Sequence, residues 1–152
     1  MLTLLLLLGL LLNGDFSQGL AYWNADVGWS AQNGMAVLKL DNRNSTETQG
    51  AVMCSDAYLL NGQKTLSGAA DVFTQNRKGY LFVGVRWYDG RGNRLWDENW
   101  ASNEGKTLQV WERLSFRTHV PRAAKRVSFC FFAGGYEGGI YRARVDNAKL
   151  ER

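Results

Sequence analysis

An all-β fold, a sandwich or barrel of about eight or nine antiparallel strands, is what this sequence predicts. Three observations carry the reading. Apolar residues recur almost throughout with a period of two. The alternating runs are separated by clusters of Gly, Asn and Asp. Seventeen Gly against a single Pro indicate many tight turns. Short strands at this spacing argue against a parallel α/β fold, which would place helical patterns between them. The 152 residues suit one domain with a substantial core, and no repeat, linker or low-complexity segment divides them.

The chain opens with an apolar run over residues 1–12 that contains one Thr and one Gly. A bilayer-spanning helix needs about 20 apolar residues, so the run is too short to span. It fits the apolar region of a secretory signal, or the end of a preceding segment. Residues 1–9 are therefore set apart as an apolar leader, and 10–152 form the folded domain. Leu10, Leu11 and Leu12 are expected to form a first strand running into Asn13-Gly14. Trp23, Ala25, Val27 and Trp29 then alternate, as do Ala36, Leu38 and Leu40, which stop at Asp41-Asn42. A short apolar strand follows at Ala51 to Cys54. Leu66, Gly68, Ala70 and Val72 alternate, and Leu81, Val83, Val85 and Trp87 form the clearest buried row. After the turn at Asp89-Gly90-Arg91-Gly92-Asn93, the stretch Trp96 to Trp100 reads as a polar loop. A long strand covers residues 108–118. One helical turn over Arg122 to Arg126 is plausible after Pro121. Val127, Phe129 and Phe131, then Tyr141, Ala143 and Val145, complete the pattern.

Two cysteines do not make a disulfide scaffold. Cys54 and Cys130 both sit in apolar strand patterns, where a pair and two buried thiols are both open readings. The formal net charge of +4 is compatible with acidic partners without requiring them. His119 is the only histidine; it precedes Val120-Pro121 at a strand end and reads as an exposed structural residue. No Gly-x-Ser-x-Gly elbow, zinc-ligand spacing or phosphate-binding loop is present in the sequence. The acids Asp97, Glu98 and Glu137 are in principle suited to glycoside hydrolysis, but read as solvated loop residues.

Three stretches together resemble a known group. They are the segment Leu10-Leu11-Leu12-Asn13-Gly14-Asp15-Phe16 with Trp23, the strand and turn from Tyr80 to Asn93, and the final strand from Ile140 to Leu150. Trp111 to Phe116, Val120-Pro121 and Ala124 before Val127 follow in matching order. In order and spacing they are similar to the jelly-roll carbohydrate-binding modules with a galactose-binding-like fold. The resemblance covers nearly the whole chain after the leader. It implies a single jelly-roll β-sandwich and a non-catalytic module that binds a polysaccharide in a sandwich groove, by aromatic stacking and hydrogen bonds. It also implies a structural calcium between the first and last strands, at positions matching Asp15 and Asp146. Carboxylate and backbone oxygens suit that ion.

Sugar binding needs flat apolar rings beside polar groups. Trp96 and Trp100 flank Asp97-Glu98-Asn99 and are candidate platforms, or else fold back to cover the sandwich end. If Leu81, Val83, Val85 and Trp87 face inward, then Phe82, Gly84, Arg86 and Tyr88 face outward. An interior strand Gly such as Gly84 often marks close approach by another group. By the same parity Arg142 and Arg144 point outward on the last strand. The candidate ligand contacts are Trp96, Trp100, Arg86, Tyr88, Arg142 and Arg144. Their arginines suit planar acidic groups and predict a preference for acidic polysaccharides. The expected partner is a polysaccharide, with no nucleic acid and no membrane span. The expected setting is secreted or extracellular, attached to or associated with a glycan-active enzyme. The alternatives are a structural or adhesive sandwich that binds protein, and a small polysaccharide lyase or hydrolase.

Overall fold

The structure, a computed structural model, describes residues 11–103 and 108–152. Eleven strands occur among them: β1 (Trp23–Ala25), β2 (Trp29–Gln32), β3 (Met35–Asp41), β4 (Gln49–Ser55), β5 (Tyr58–Leu59), β6 (Thr65–Thr74), β7 (Gly79–Tyr88), β8 (Arg94–Ser102), β9 (Trp111–His119), β10 (Arg126–Gly135) and β11 (Ile140–Glu151). They form two sheets in which every pairing is antiparallel. The front sheet runs β1-β4-β10-β7-β8, with β5 also beside β10. The back sheet runs β2-β3-β11-β6-β9. From β3 onward the chain crosses repeatedly between the sheets, as in a jelly roll.

The alternation read from the sequence decides what is buried. Leu81, Val83, Val85 and Trp87 are all fully enclosed. They meet Val127, Phe129, Phe131 and Ala133 from β10, which is paired to β7 over its whole length. The back sheet contributes Leu38, Leu66, Val72, Tyr141, Val145 and Leu150. Phe129 is the aromatic hub. It packs against Phe131, Phe116 and Trp23 with ring centroids 5.2, 6.0 and 6.3 Å away.

Several expectations are corrected. The leader, residues 1–9, and Leu10 lie outside the described residues. Leu11 and Leu12 do not form a strand: they enter a run of turns organised by Asn13. Its side-chain amide donates to the carbonyls of Gly19 and Ala21, and its Oδ1 accepts from the Gln18 N–H, each at 2.9 Å. The single run expected from Trp23 to Trp29 is two strands in different sheets. Gly28, at φ 109°, makes the crossing between them and leaves Val27 in solvent. Trp96 to Trp100 is the middle of β8, not a loop. The long strand expected over residues 108–118 starts at Trp111, after a turn that begins at Leu108. In place of a helical turn, Pro121 opens one hydrogen-bonded turn in which the Ala124 N–H reaches the Pro121 carbonyl at 3.0 Å. Splitting and short additional strands raise the count from eight or nine to eleven. Cys54 and Cys130 face each other across β4 and β10 and form a disulfide.

A polar knot closes one end of the core. The Asn103 amide donates to Thr74 Oγ1 and to the Tyr141 hydroxyl, and its carbonyl accepts from the Leu81 N–H at 3.0 Å. Burial pushes the Tyr141 hydroxyl up to about 12, from an ordinary value of 10.0.

Two outcomes follow for stability. Trp87→Ala should cost about 3–5 kcal/mol in a denaturant melt, because it empties a fully enclosed site. A loss under about 1 kcal/mol would contradict the packing. The Tyr141 contribution should be complete below pH 10 and should fall as pH rises toward 12. In that window the unfolded chain releases the proton and the folded chain keeps it. Tyr141→Phe should flatten this alkaline loss, and parallel melts from pH 9 to 12 read the difference.

Candidate functional site

Because β4, β10 and β7 are neighbours in register, their outward residues form rows across the front sheet. Tyr80 stands opposite Gly134, and Gly134 opposite Gly50. Phe82, Phe132 and Val52 make the next row, then Gly84, Cys130 and Cys54. Arg86 stands opposite Ser128, and Tyr88 opposite Arg126. The face therefore has an apolar half and a polar half.

The apolar half is an aromatic shelf. Tyr80 lies over Gly134, where any Cβ would strike the ring. Its centroid is 5.7 Å from Phe82 and 6.0 Å from Tyr136, whose ring is 39% exposed. The disulfide lies beneath, enclosed with Phe132 and packed against Val52 and Phe82. The polar half is a cleft of about 490 Å³ lined by Asn24, Asp26, Asp56, Arg86, Tyr88 and Arg126, among others. Arg86 is fixed within it by two bonds to Asp97, at 2.8 and 3.1 Å, and Arg94 shares that carboxylate at 2.6 Å. The Asp97 carboxylate raises the Arg86 pKa and holds the guanidinium charged.

The six predicted contacts do not form one site. Arg86, Tyr88, Trp96 and Trp100 belong to the front sheet, whereas Arg142 and Arg144 are on β11 in the back sheet. Arg86 and Tyr88 point outward on one side of the sandwich, Arg142 and Arg144 on the other. Trp96 stands opposite the core residue Trp87, on the inner side of edge strand β8. Its indole N–H donates to Glu98 at 3.1 Å, and Glu98 also accepts from Thr118 of β9 at 3.3 Å. This tryptophan covers the sandwich edge. Trp100 sits where the β7–β8 register shifts, between the residues opposite Val83 and Gly84, and is 48% exposed. Gly84 does mark a close approach, but by protein: the Glu98 carbonyl occupies the place a Cβ would take.

Tyr80, Phe82 and Tyr136 were missed as candidates. Their signal was the outward parity of Tyr80 and Phe82 with Arg86 and Tyr88. The adjacent acids Asp97 and Glu98 face opposite sides of β8, one held by two arginines and the other by Trp96 and Thr118. They do not converge as a glycosidase pair. His119 is exposed at the end of β9.

Asp15 and Asp146 are brought near each other, since the Ala148 N–H donates to the Gly14 carbonyl at 2.8 Å. Burial chiefly, then the Asp71 and Asp15 charges, raise the Asp146 carboxyl pKa. Among the described residues, no three His, Cys, Asp or Glu side chains converge as a metal site. No helix among them is long and apolar enough to cross a membrane.

No family model and no curated protein matches this sequence. Solved structures do. The carbohydrate-binding module TmCBM61, solved with β-1,4-galactotriose, matches over 95% of this chain and 98% of its own, at TM-score 0.60 and 15% identity. The enzymatically active domain of tailspike protein 4 from bacteriophage CBA120 matches over 95% of this chain, at TM-score 0.61 and 12% identity. The CBM22-1-GH10 modules of Clostridium thermocellum xylanase 10B, complexed with xylohexaose, match over 91%, at 0.61 and 14%. The chain spans only 21% of the tailspike protein and 28% of the xylanase chain. At these identities the likeness establishes the fold alone, a β-sandwich of jelly-roll type.

Proposed function

We propose that this chain is a non-catalytic carbohydrate-binding module that takes a polysaccharide against the outer face of the front sheet. The observation that carries the reading is the aromatic shelf of Tyr80, Phe82 and Tyr136 beside the cleft of Arg86, Tyr88 and Arg126. A sugar ring offers C–H bonds to an aromatic face and hydroxyls to planar polar groups, and this face supplies both. Trp100 extends the apolar surface at the β8 edge. The full-length match to a carbohydrate-binding module solved with β-1,4-galactotriose supports the reading, as does the fold's occurrence beside a GH10 module. Attachment to or association with a glycan-active enzyme is part of the proposal. So is an extracellular setting, since a disulfide persists in oxidising compartments.

The acidic preference expected from Arg86 has little free charge to rest on in this cleft. Arg86 is bidentate with Asp97, and Asp26 and Asp56 line the same space. The front face suits a neutral, hydroxyl-rich chain. Affinity electrophoresis in β-1,4-galactan and in xylan tests this. Retardation by at least one is expected, with affinity falling about tenfold or more in Tyr80→Ala and Tyr136→Ala. Retardation by neither would return the chain to the structural or adhesive reading.

A calcium ion held by Asp15 and Asp146, with backbone or solvent oxygens completing its shell, belongs to the same proposal. Its role would be to neutralise carboxylates that repel each other. A folded pKa raised above the unfolded value means that ionised Asp146 destabilises the fold above about pH 4. Calcium should therefore raise the melting temperature. Asp146→Asn should abolish that response while itself melting at or above the calcium-free parent. Equal calcium responses in the two proteins would remove the site.

A further inference from the structure

The outer face of the back sheet carries a second arrangement of rings and cations, separate from the proposed front groove. One row crosses all five strands in register: Ser30, Val37, Arg144, Phe73 and Trp111. Arg144 stands at its centre. Its guanidinium lies 5.5 Å from the centroid of Phe73, and Phe73 lies 5.6 Å from Trp111, which is 43% exposed. In the adjoining row Arg142 is directly opposite Lys39. A hollow of about 370 Å³ between these rows also takes in Gln32 and Gln75.

The cations here form no ion pair. Among the described residues neither Lys39, Arg142 nor Arg144 has an acidic partner within 4 Å. Of the acids on the same face, Asp41 pairs with Arg43 and Asp71 with Arg113, both at 2.7 Å, while Asp146, two residues beyond Arg144 and opposite Asp71, faces the Asp15 and Asp71 carboxylates. Like charges directly opposite each other on paired strands cost stability. Asp41 offsets Lys39 only at longer range, and no carboxylate among the described residues forms an ion pair with Arg142 or Arg144, so an external anion is the natural complement. The setting narrows its chemistry. Trp111 offers a flat face, the stacked Arg144 is held ready for a planar acid, and Ser30, Gln32 and Gln75 bond hydroxyls.

We propose that this back face is a second binding site, for a uronate-bearing polysaccharide. Carboxylates would meet Arg142, Arg144 and Lys39, and sugar rings would rest against Trp111. The acidic preference read from the arginines then belongs to this face and not to the front cleft.

Isothermal titration of the whole chain with polygalacturonate, neutral β-1,4-galactan and a double-stranded DNA oligomer tests the assignment. Parent protein should bind polygalacturonate, more weakly as salt rises. The double variant Arg142→Gln/Arg144→Gln should lose about tenfold or more in affinity. It should melt no lower than the parent, because it relieves a like-charge contact, and should keep any galactan binding. Tyr80→Ala should leave polygalacturonate binding intact. The proposal is overturned if the parent does not bind polygalacturonate, if the double variant binds it undiminished, or if Tyr80→Ala abolishes it. Equal or tighter binding of DNA would also overturn it, marking a general polyanion surface. Galactan binding without polygalacturonate binding sinks this site alone, and the reverse sinks only the front-face reading.

Discussion

The ladder between β7 and β10 is the constraint from which the rest of the molecule follows. Ten residue pairs run in unbroken register from Arg126 opposite Tyr88 to Gly135 opposite Gly79. A slip of β7 by one residue would turn Trp87 and Val85 out of the core, drive Arg86 into it, and leave Phe129 and Phe131 without their partners. The cost of that exchange fixes the pairing. Once fixed, it also fixes which side chains the front face presents. Core and candidate site are thus two sides of one set of hydrogen bonds, to which residues just beyond the strands add Tyr136, Asp26 and Asp56.

Inside and outside were legible in the sequence; the choice of sheet was not. The alternation over β6, β7 and β11 named the inward residues correctly because these strands show one face to the core and one outward, whereas β10, central in its sheet, is buried on both faces. A period of two carries no information on which layer a strand joins. Arg86 and Arg142 were therefore grouped by parity although the sandwich separates them. The jelly-roll resemblance correctly indicated two layers with frequent crossings, but not the fate of each side chain.

Other departures have the same root, a partner distant in sequence. Asp97-Glu98-Asn99 looked like a loop because three polar residues in a row lack a visible reason to be in a strand. The reasons are Arg86 and Thr118, contributed by β7 and β9. Cys54 and Cys130 are 76 residues apart, and only the β4–β10 register brings them opposite each other. Asn13 was visible as a turn residue, but not its capture of three backbone groups, which replaces the expected first strand with turns.

At one end of the front sheet, surface and core are shaped by missing side chains. Tyr80 can lie flat only because Gly134 has no Cβ. Gly79 leaves room for the ring of Tyr141, and Gly135 leaves room for Asn42 and Leu40. This gives the molecule an unusual map of mutational tolerance. Surface positions of a sandwich ordinarily accept most substitutions, yet Gly134, on the outer face, has no room for a Cβ under the Tyr80 ring, and Gly79 and Gly135 are held the same way from the core side. In a library of variants, diversity that retunes the front face will therefore accumulate at the rings and at the cleft's polar residues. The glycines beneath them will stay fixed, so the slope of the shelf is inherited while its decoration is free to drift.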